Sequence, residues 1–277
     1  MPPGAGSKDV PPGRWAPSHG MRAMLALHVA AVLAVVVRPG TWPVAVATVI
    51  ASHLLFVTAS LLPRSRLFGP NMTRLPRAAV LRGEVALSFD DGPDPAVTPQ
   101  VLDLLDRYDA KASFFCVGNC AAAHPQLVQD IVRRGHSVEN HSDRHSNFFA
   151  FKGYFGLRRE LLRAQARLAA LSGKSPTFFR APMGIRSPLL EPALAFANLR
   201  YVSWTRRGYD AVRGDADGVL RRLTRGLAAG DILLLHDGHP AKTASGEPVV
   251  LVVLPRLLER VAALGFTVVS LPMAMAE

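Results

Sequence analysis

Two carboxylates stand side by side at Asp90 and Asp91, at the end of the apolar run Glu84-Val85-Ala86-Leu87-Ser88-Phe89 and just before Gly92-Pro93. The run reads as a short β-strand and Gly-Pro as the turn that ends it. Along a strand, neighbouring side chains point to opposite faces. At its C-terminal tip, where the chain turns, both carboxylates can reach one place. Two such groups repel unless a cation or a proton offsets their charge. The pair therefore predicts a metal, and a metal needs more ligands. His141 and His145, in the segment His-Ser-Asp-Arg-His, stand four residues apart. A single helical turn would put both imidazoles on one face. Two histidines and one carboxylate form a facial set suited to Zn²⁺ or a similar divalent ion. Such a set leaves positions open for water and substrate, as a catalytic site requires.

The elements that must position these groups follow from the apolar patterning. Candidate strands lie at 84–89, 112–117, 136–140, 177–180, 200–204, 232–236 and 266–270, and candidate helices at 97–108, 124–134, 156–171, 188–197, 216–229 and 249–264. Repeated strand–helix alternation predicts an α/β fold with a parallel sheet, open or closed into a barrel. Chemistry in such folds gathers at the C-terminal ends of the strands. Asp90, the 141–145 segment, Arg180, Trp204 and His236 all fall there.

The net charge of +11 over 277 residues could point to nucleic acid, but its distribution argues otherwise. Residues 1–83 carry nine Lys/Arg against one acid, Asp9, while the longer remainder carries 23 against 20. Basic residues flanking apolar stretches are membrane-topology signals. The Pro-, Gly- and Ser-rich residues 1–20 predict disorder. Residues 23–37 and 41–62 are uncharged and apolar, broken by Arg38-Pro39-Gly40. The second is long enough to span a bilayer of ~30 Å. The first is short for that, and a signal peptide is the competing reading. A second apolar stretch so close behind favours a two-helix membrane hairpin over 21–62. His28 and His53 fall within it and read as residues near the interface or in the hairpin contact, against a proton or ligand role. Lys8, Arg14 and Arg22 precede the hairpin, and Arg64, Arg66, Arg74, Arg77 and Arg82 follow it. That bias predicts a multi-pass protein of a bacterial-type inner membrane with both ends cytoplasmic. The domain would be periplasmic if one segment alone spans. Residues 63–83 read as a linker and 84–277 as the catalytic domain. Cys116 and Cys120 make no disulfide framework, and Cys116 reads as packing.

Five segments stand in order: SFDDGP at 88–93, HSDRH at 141–145, RAPMG at 180–184, SWTRRGYD at 203–210 and LLLHDG at 233–238. Together they resemble the polysaccharide deacetylase family, the NodB-type domain of carbohydrate esterase family four, over about residues 84–270. The resemblance implies a distorted (β/α) barrel and a metal-dependent hydrolase that removes N-acetyl groups from amino sugars. It implies Asp91, His141 and His145 as ligands of a divalent ion, Zn first, with Co, Ni or Mn as alternatives. It implies Asp90 as the base that deprotonates water and His236 as the acid on the leaving amine. Arg180 would hold the base and Asp210 tune the histidine. The main-chain N–H of Met183 would help hold the oxyanion. His136, Glu139 and Asn140 read either as supporting partners of the ligand segment or as strand-end polar groups.

Three departures from the family pattern bear on substrate. Met183 replaces an aromatic residue, Ala211 follows Asp210 where Trp is usual, and Arg206 and Arg207 add two cations near Trp204. They predict an anionic or lipid-phosphate-linked amino sugar held at the membrane rather than plain chitin-like polymer. The competing functions are a deformylase or deacylase of another amide on the same scaffold, and a non-catalytic glycan- or lipid-binding relative. Binding alone would not need Asp90, Asp91, His141, His145 and His236 together, which disfavours the last.

Overall fold

The computed structural model describes residues 15–276. Most of the expected disordered N-terminus lies outside the described residues. Within them, helix α1 (His19–Val37) begins earlier than the apolar run suggests, because the Ser18 hydroxyl accepts from the main-chain N–H of Met21. Helix α2 (Trp42–Leu61) follows a 3₁₀ turn at Pro39–Thr41 and packs back against α1. The rings of His28 and His53 meet edge to face at 5.1 Å, each bonded through Nδ1 to the carbonyl four residues earlier. Both helices are long and apolar enough to cross a membrane. No residue of α1 is buried, and in α2 Phe56 and Ala59 are, packed on Phe68.

After the short helix α3 (Arg77–Leu81), strands alternate with helices. They run β1 (Glu84–Asp90), α4 (Thr98–Arg107), β2 (Ala112–Cys116), α5 (Gly118–Ala123), α6 (Pro125–Arg133), β3 (Ser137–Asn140), α7 (Tyr154–Ser172) and β4 (Phe178–Phe179). Then come α8 (Leu190–Phe196), β5 (Arg200–Tyr201), β6 (Arg206–Arg207), α9 (Ala216–Thr224), β7 (Ile232–His236), α10 (Val249–Ala263), β8 (Thr267–Val269) and α11 (Leu271–Ala274). The strands form one curled parallel sheet in the order β5-β4-β3-β2-β1-β7-β6, with β8 also paired to β1. Central strands covered on both faces read as near-continuous apolar runs. Accordingly, every residue of β1 from Val85 to Asp90 is buried, and so is all of β2 and β7. Helix α4 turns Val101, Leu102, Leu104 and Leu105 to the core, and α10 turns eight apolar residues inward.

The expected linker at 63–83 is in part built into the sheet. Met72 bridges Val202 beyond β5, and Arg74 bridges Asp231 at the start of β7. The segment thereby stitches together the two sides of the curl. Phe68, Leu75 and Ala79 are buried in the process. Two further expectations are corrected. Strand β5 ends at Tyr201 rather than 204: Val202 N–H still reaches the Phe179 carbonyl of β4, but Ser203 N–H turns to the Met72 carbonyl. Helix α9 ends at Thr224, since Gly226 takes a positive φ of 66°.

Candidate metal and catalytic site

Strand register brings the site together. Asp90, the last residue of β1, is the direct partner of His236, the last residue of β7. Asp91 then turns the chain at a φ of 74°, a conformation in which the two adjacent carboxylates no longer diverge as they would along a strand. Six of the eight non-glycine residues with positive φ among the described residues belong to loops at this end of the sheet: Asp91, Ser142, His145, Met183, Tyr209 and His239. Such backbone is costly and concentrates where side chains must be aimed.

The 141–145 segment is not helical, contrary to the reading from its spacing. It is a tight loop after β3. The Asn140 side-chain oxygen accepts from Ser142 N–H, and the Ser142 hydroxyl accepts from His145 N–H. Positive φ at Ser142 (66°) and His145 (49°) turns both histidines toward Asp91. Their Nε2 atoms lie 3.1 and 3.0 Å from Asp91 Oδ1. His141 donates from Nδ1 to the Arg180 carbonyl at 2.8 Å, which fixes the ring with Nε2 turned to Asp91, where it could serve as the ligand atom of a bound cation. One ligand atom from each of Asp91, His141 and His145 can be chosen so that all lie within 4.8 Å of one another, so the set fits a divalent cation. Burial works to raise the Asp91 carboxyl, but the hydrogen bonds from His141 and His145 outweigh it and hold the group far below the usual carboxylate range.

Asp90 is held from behind. The fully buried Arg180, just after β4, donates from Nη1 to Asp90 Oδ1 at 2.6 Å and to the Ser88 hydroxyl at 2.9 Å. Its Nη2 reaches the Ser203 carbonyl at 3.0 Å, and its guanidinium lies over the Phe115 ring. Across the site, His236 Nδ1 lies 2.9 Å from Asp210 Oδ1, and the other Asp210 oxygen accepts from His236 N–H at 2.7 Å. Burial would lower the His236 pKa, but the charge and hydrogen bond of Asp210 push it above the usual histidine value.

Asp90, Asp91, His141, His145 and His236 line one cavity of about 170 Å³, walled by Met183, Gly184, Trp204, Arg207, Ala211, Val212 and Leu234. Met183 sits at the rim, half-exposed, at a φ of 56°. Gly184 beside it takes a φ of 75°, and a Cβ there would fall 2.6 Å from the Trp204 ring and 3.1 Å from Pro63. Arg206 is not in the cavity: its guanidinium is bound to the buried Asp231 and to the carbonyls of Arg225 and Gly226. That removes it from the predicted substrate contacts. Arg207 does line the cavity.

Several functional groups escape a reading of motifs. Ser88, Ser203 and Asn71 fix Arg180 and its surroundings through side-chain bonds across the sheet. Asp237 is buried behind Gly92 and accepts from Thr98; burial pushes its carboxyl up to about 7 against that bond. Glu139 is a support for β4, accepting from Thr177 and Phe178 N–H, and burial pushes it to about 7. His136 lies at the opposite end of β3, where its Nδ1 accepts from Ala112 N–H, and burial lowers it to about 4. The place of Asp237 next to His236 is its available signal, and Glu139 and His136 are the strand-end polar groups already singled out; Ser88, Ser203 and Asn71 carry no such signal.

The chain is similar to known proteins. The polysaccharide deacetylase family model matches residues 78–202. A chitooligosaccharide deacetylase of Sinorhizobium fredii is 35% identical over 204 residues, covering 72% of this chain and 94% of that protein. A peptidoglycan N-acetylglucosamine deacetylase, solved with an N-hydroxybenzamide compound, superposes with a TM-score of 0.65 at 28% identity, over 74% of this chain and 92% of the other. A Bacillus anthracis pseudoenzyme of carbohydrate esterase family four gives 0.66 at 21% identity, over 75% and 69%. That last likeness speaks for the fold alone.

Proposed function

The chain belongs to the polysaccharide deacetylase family, and from that premise we propose that it is a membrane-anchored, metal-dependent hydrolase removing the N-acetyl group of an amino sugar in a glycan or lipid-linked glycan. The observation that carries this reading is the convergence of three units on one cavity: Asp90 backed by Arg180, His236 backed by Asp210, and the Asp91, His141, His145 set. A pseudoenzyme can keep the fold; it has no need of a base, an acid and a ligand set together.

On this reading Asp91, His141 and His145 hold the cation. A divalent ion bound there supplies Lewis acidity and lowers the pKa of a water to near neutrality. Asp90 takes the proton from the attacking water, with Arg180 fixing its carboxylate in one rotamer. His236, its Nδ1 engaged by Asp210, presents Nε2 to the leaving nitrogen. An amine leaves poorly as an anion, so the proton from His236 must arrive as the C–N bond breaks. The Met183 N–H is assigned to the oxyanion, and Trp204 to the wall beside the sugar. The membrane reading rests on α1 and α2, whose apolar faces have little protein cover. Pro63, two residues past α2, packs on Gly184 in the cavity wall, which favours a substrate held at the bilayer surface.

The test uses the full chain in detergent, stripped of metal and reloaded with Zn, Co, Ni or Mn in turn. Acetate release from N-acetylated chito-oligosaccharides or from lipid-linked N-acetylamino sugars is expected with at least one ion and none without. No release from either class with any ion, at confirmed loading, would refute the reading. Reporter fusions after residue 83 test the side of the membrane, for which the Lys/Arg bias favours the cytoplasm.

A further inference from the structure

Two adjacent arginines in β6 stand in opposite situations. Arg206 is consumed by structure: Asp231 and two carbonyls occupy its donors. The Arg207 side chain has no ion pair or hydrogen bond among the described residues, and its Nε is buried without a partner. Its guanidinium carbon lies 5.1 Å from the Trp204 ring centre and 5.0 Å from that of Tyr209. Two ring faces hold the cation in place electrostatically and leave its N–H donors unused. It lines the catalytic cavity together with Asp90, Asp91 and His236. The other guanidinium behind that cavity, Arg180, is bound to Asp90, Ser88 and Ser203. Ala211 and Val212 also line the cavity.

A buried donor without a partner is costly. Here that cost is borne in the wall of a substrate cavity, by the side chain whose planar fork matches phosphate and carboxylate oxygens. We propose that Arg207, aligned by Trp204 and Tyr209, is an anion subsite: it binds a phosphate or carboxylate carried by the substrate sugar whose acetamido group enters the site. The inference rests on the deacetylase reading and narrows it from N-acetylated sugars in general to anionic ones. Phosphate and carboxylate offer the same oxygens to the fork, and separate probes tell them apart.

The test separates binding from turnover. Binding is measured by titration calorimetry on the full-length protein carrying Asp90→Asn, so that no probe is consumed. The probes are N-acetylglucosamine 1-phosphate, N-acetylmuramic acid and neutral N,N′-diacetylchitobiose. At least one anionic probe should bind more tightly than the neutral one. Adding Arg207→Gln should cut that preference by ~10- to 100-fold, the scale of a charge-assisted hydrogen bond. Arg207→Lys should restore part of it. Arg222→Gln, which removes the same charge on the exposed face of α9, should leave the preference intact. Whichever anionic probe shows the effect identifies the source. An equal affinity for all three probes, or a preference that survives Arg207→Gln, would overturn the proposal. Turnover of the same sugars by the otherwise native enzyme tests the deacetylase reading on its own: hydrolysis without anion preference sinks the subsite alone.

Discussion

Adjacent carboxylates at one strand tip divide by geometry. Asp91 points at two imidazoles and Asp90 at a buried guanidinium. Their replacements should therefore fail differently. Asp90→Asn should abolish acetate release while bound metal, measured by elemental analysis, stays near one ion per chain. The variant should also melt lower, because Arg180 loses its counter-charge inside the protein, a loss of ~3 kcal/mol or more for a broken buried pair. His145→Ala should lose the metal together with activity. Stoichiometric metal in His145→Ala, or its loss in Asp90→Asn, would reverse the division. The acid side makes a separate prediction. His236 serves as a proton donor in its charged form, so activity falls as pH rises through its pKa. Asp210 raises that pKa. Asp210→Asn should therefore move the alkaline limb of the kcat profile to lower pH and cut kcat by ~100-fold, the usual worth of a positioned acid. An alkaline limb that stayed in place would mean that another group sets it.

Loops, more than strands, carry what is special to this fold, and they decide how much could be read in advance. The strand–helix alternation was legible because β1, β2 and β7 are continuous apolar runs and α4 and α10 have clear helical faces. Asp90, Asp91, His141, His145, Arg180 and His236 were legible because their types and spacing leave few other uses. The ligand loop was not. A spacing of four fits a helical turn, and only the Asn140 and Ser142 side-chain bonds, with positive φ at Ser142 and His145, make it a loop instead. The two-residue strands β4, β5 and β6 are too short to show any period. Residues 63–83 looked like a linker because Phe68, Leu75 and Ala79 are too sparse to reveal a buried segment. The same loops give a prediction at this scale. Gly184 combines a positive φ with close approach to Trp204 and Pro63. Gly184→Ala should destabilise the protein by ~1–3 kcal/mol through backbone strain and overpacking, seen as a lower melting temperature. It should also raise KM, because Trp204 must shift. An unchanged melt and KM would mean that the wall yields freely.

At the scale of the molecule, hairpin and catalytic face are mechanically joined, which on the proposed membrane reading would place further surface at the bilayer. Pro63 touches the loop after β4, and Arg186 from that loop is buried with bonds to the Ser65 and Pro70 carbonyls and to Glu191. The loop after β3, the neighbouring strand, lies beside it on the same rim. That loop carries Phe148, Phe151 and, at the start of α7, Phe155, which are 73%, 82% and 78% exposed. Phe149 between them is buried against Phe179, which anchors the segment. Lys152 lies between these rings, and Arg158 and Arg159 follow Phe155. Exposed aromatics mixed with cations suit the headgroup region of a membrane, where rings bury and charges meet lipid phosphates. On the proposed membrane reading α1 and α2 hold the chain in the bilayer, so these rings are not needed for attachment; their work would be to keep the mouth against the surface. Replacing all three by Ser in the full-length protein should leave it in the membrane fraction after high-salt washing. On a lipid-linked N-acetylamino sugar in vesicles, KM should rise by roughly tenfold, since burying even one ring partly is worth ~1.5 kcal/mol or more. On a soluble chito-oligosaccharide KM should change little. Equal changes on both substrates would mean that the rings serve the sugar site itself rather than the bilayer.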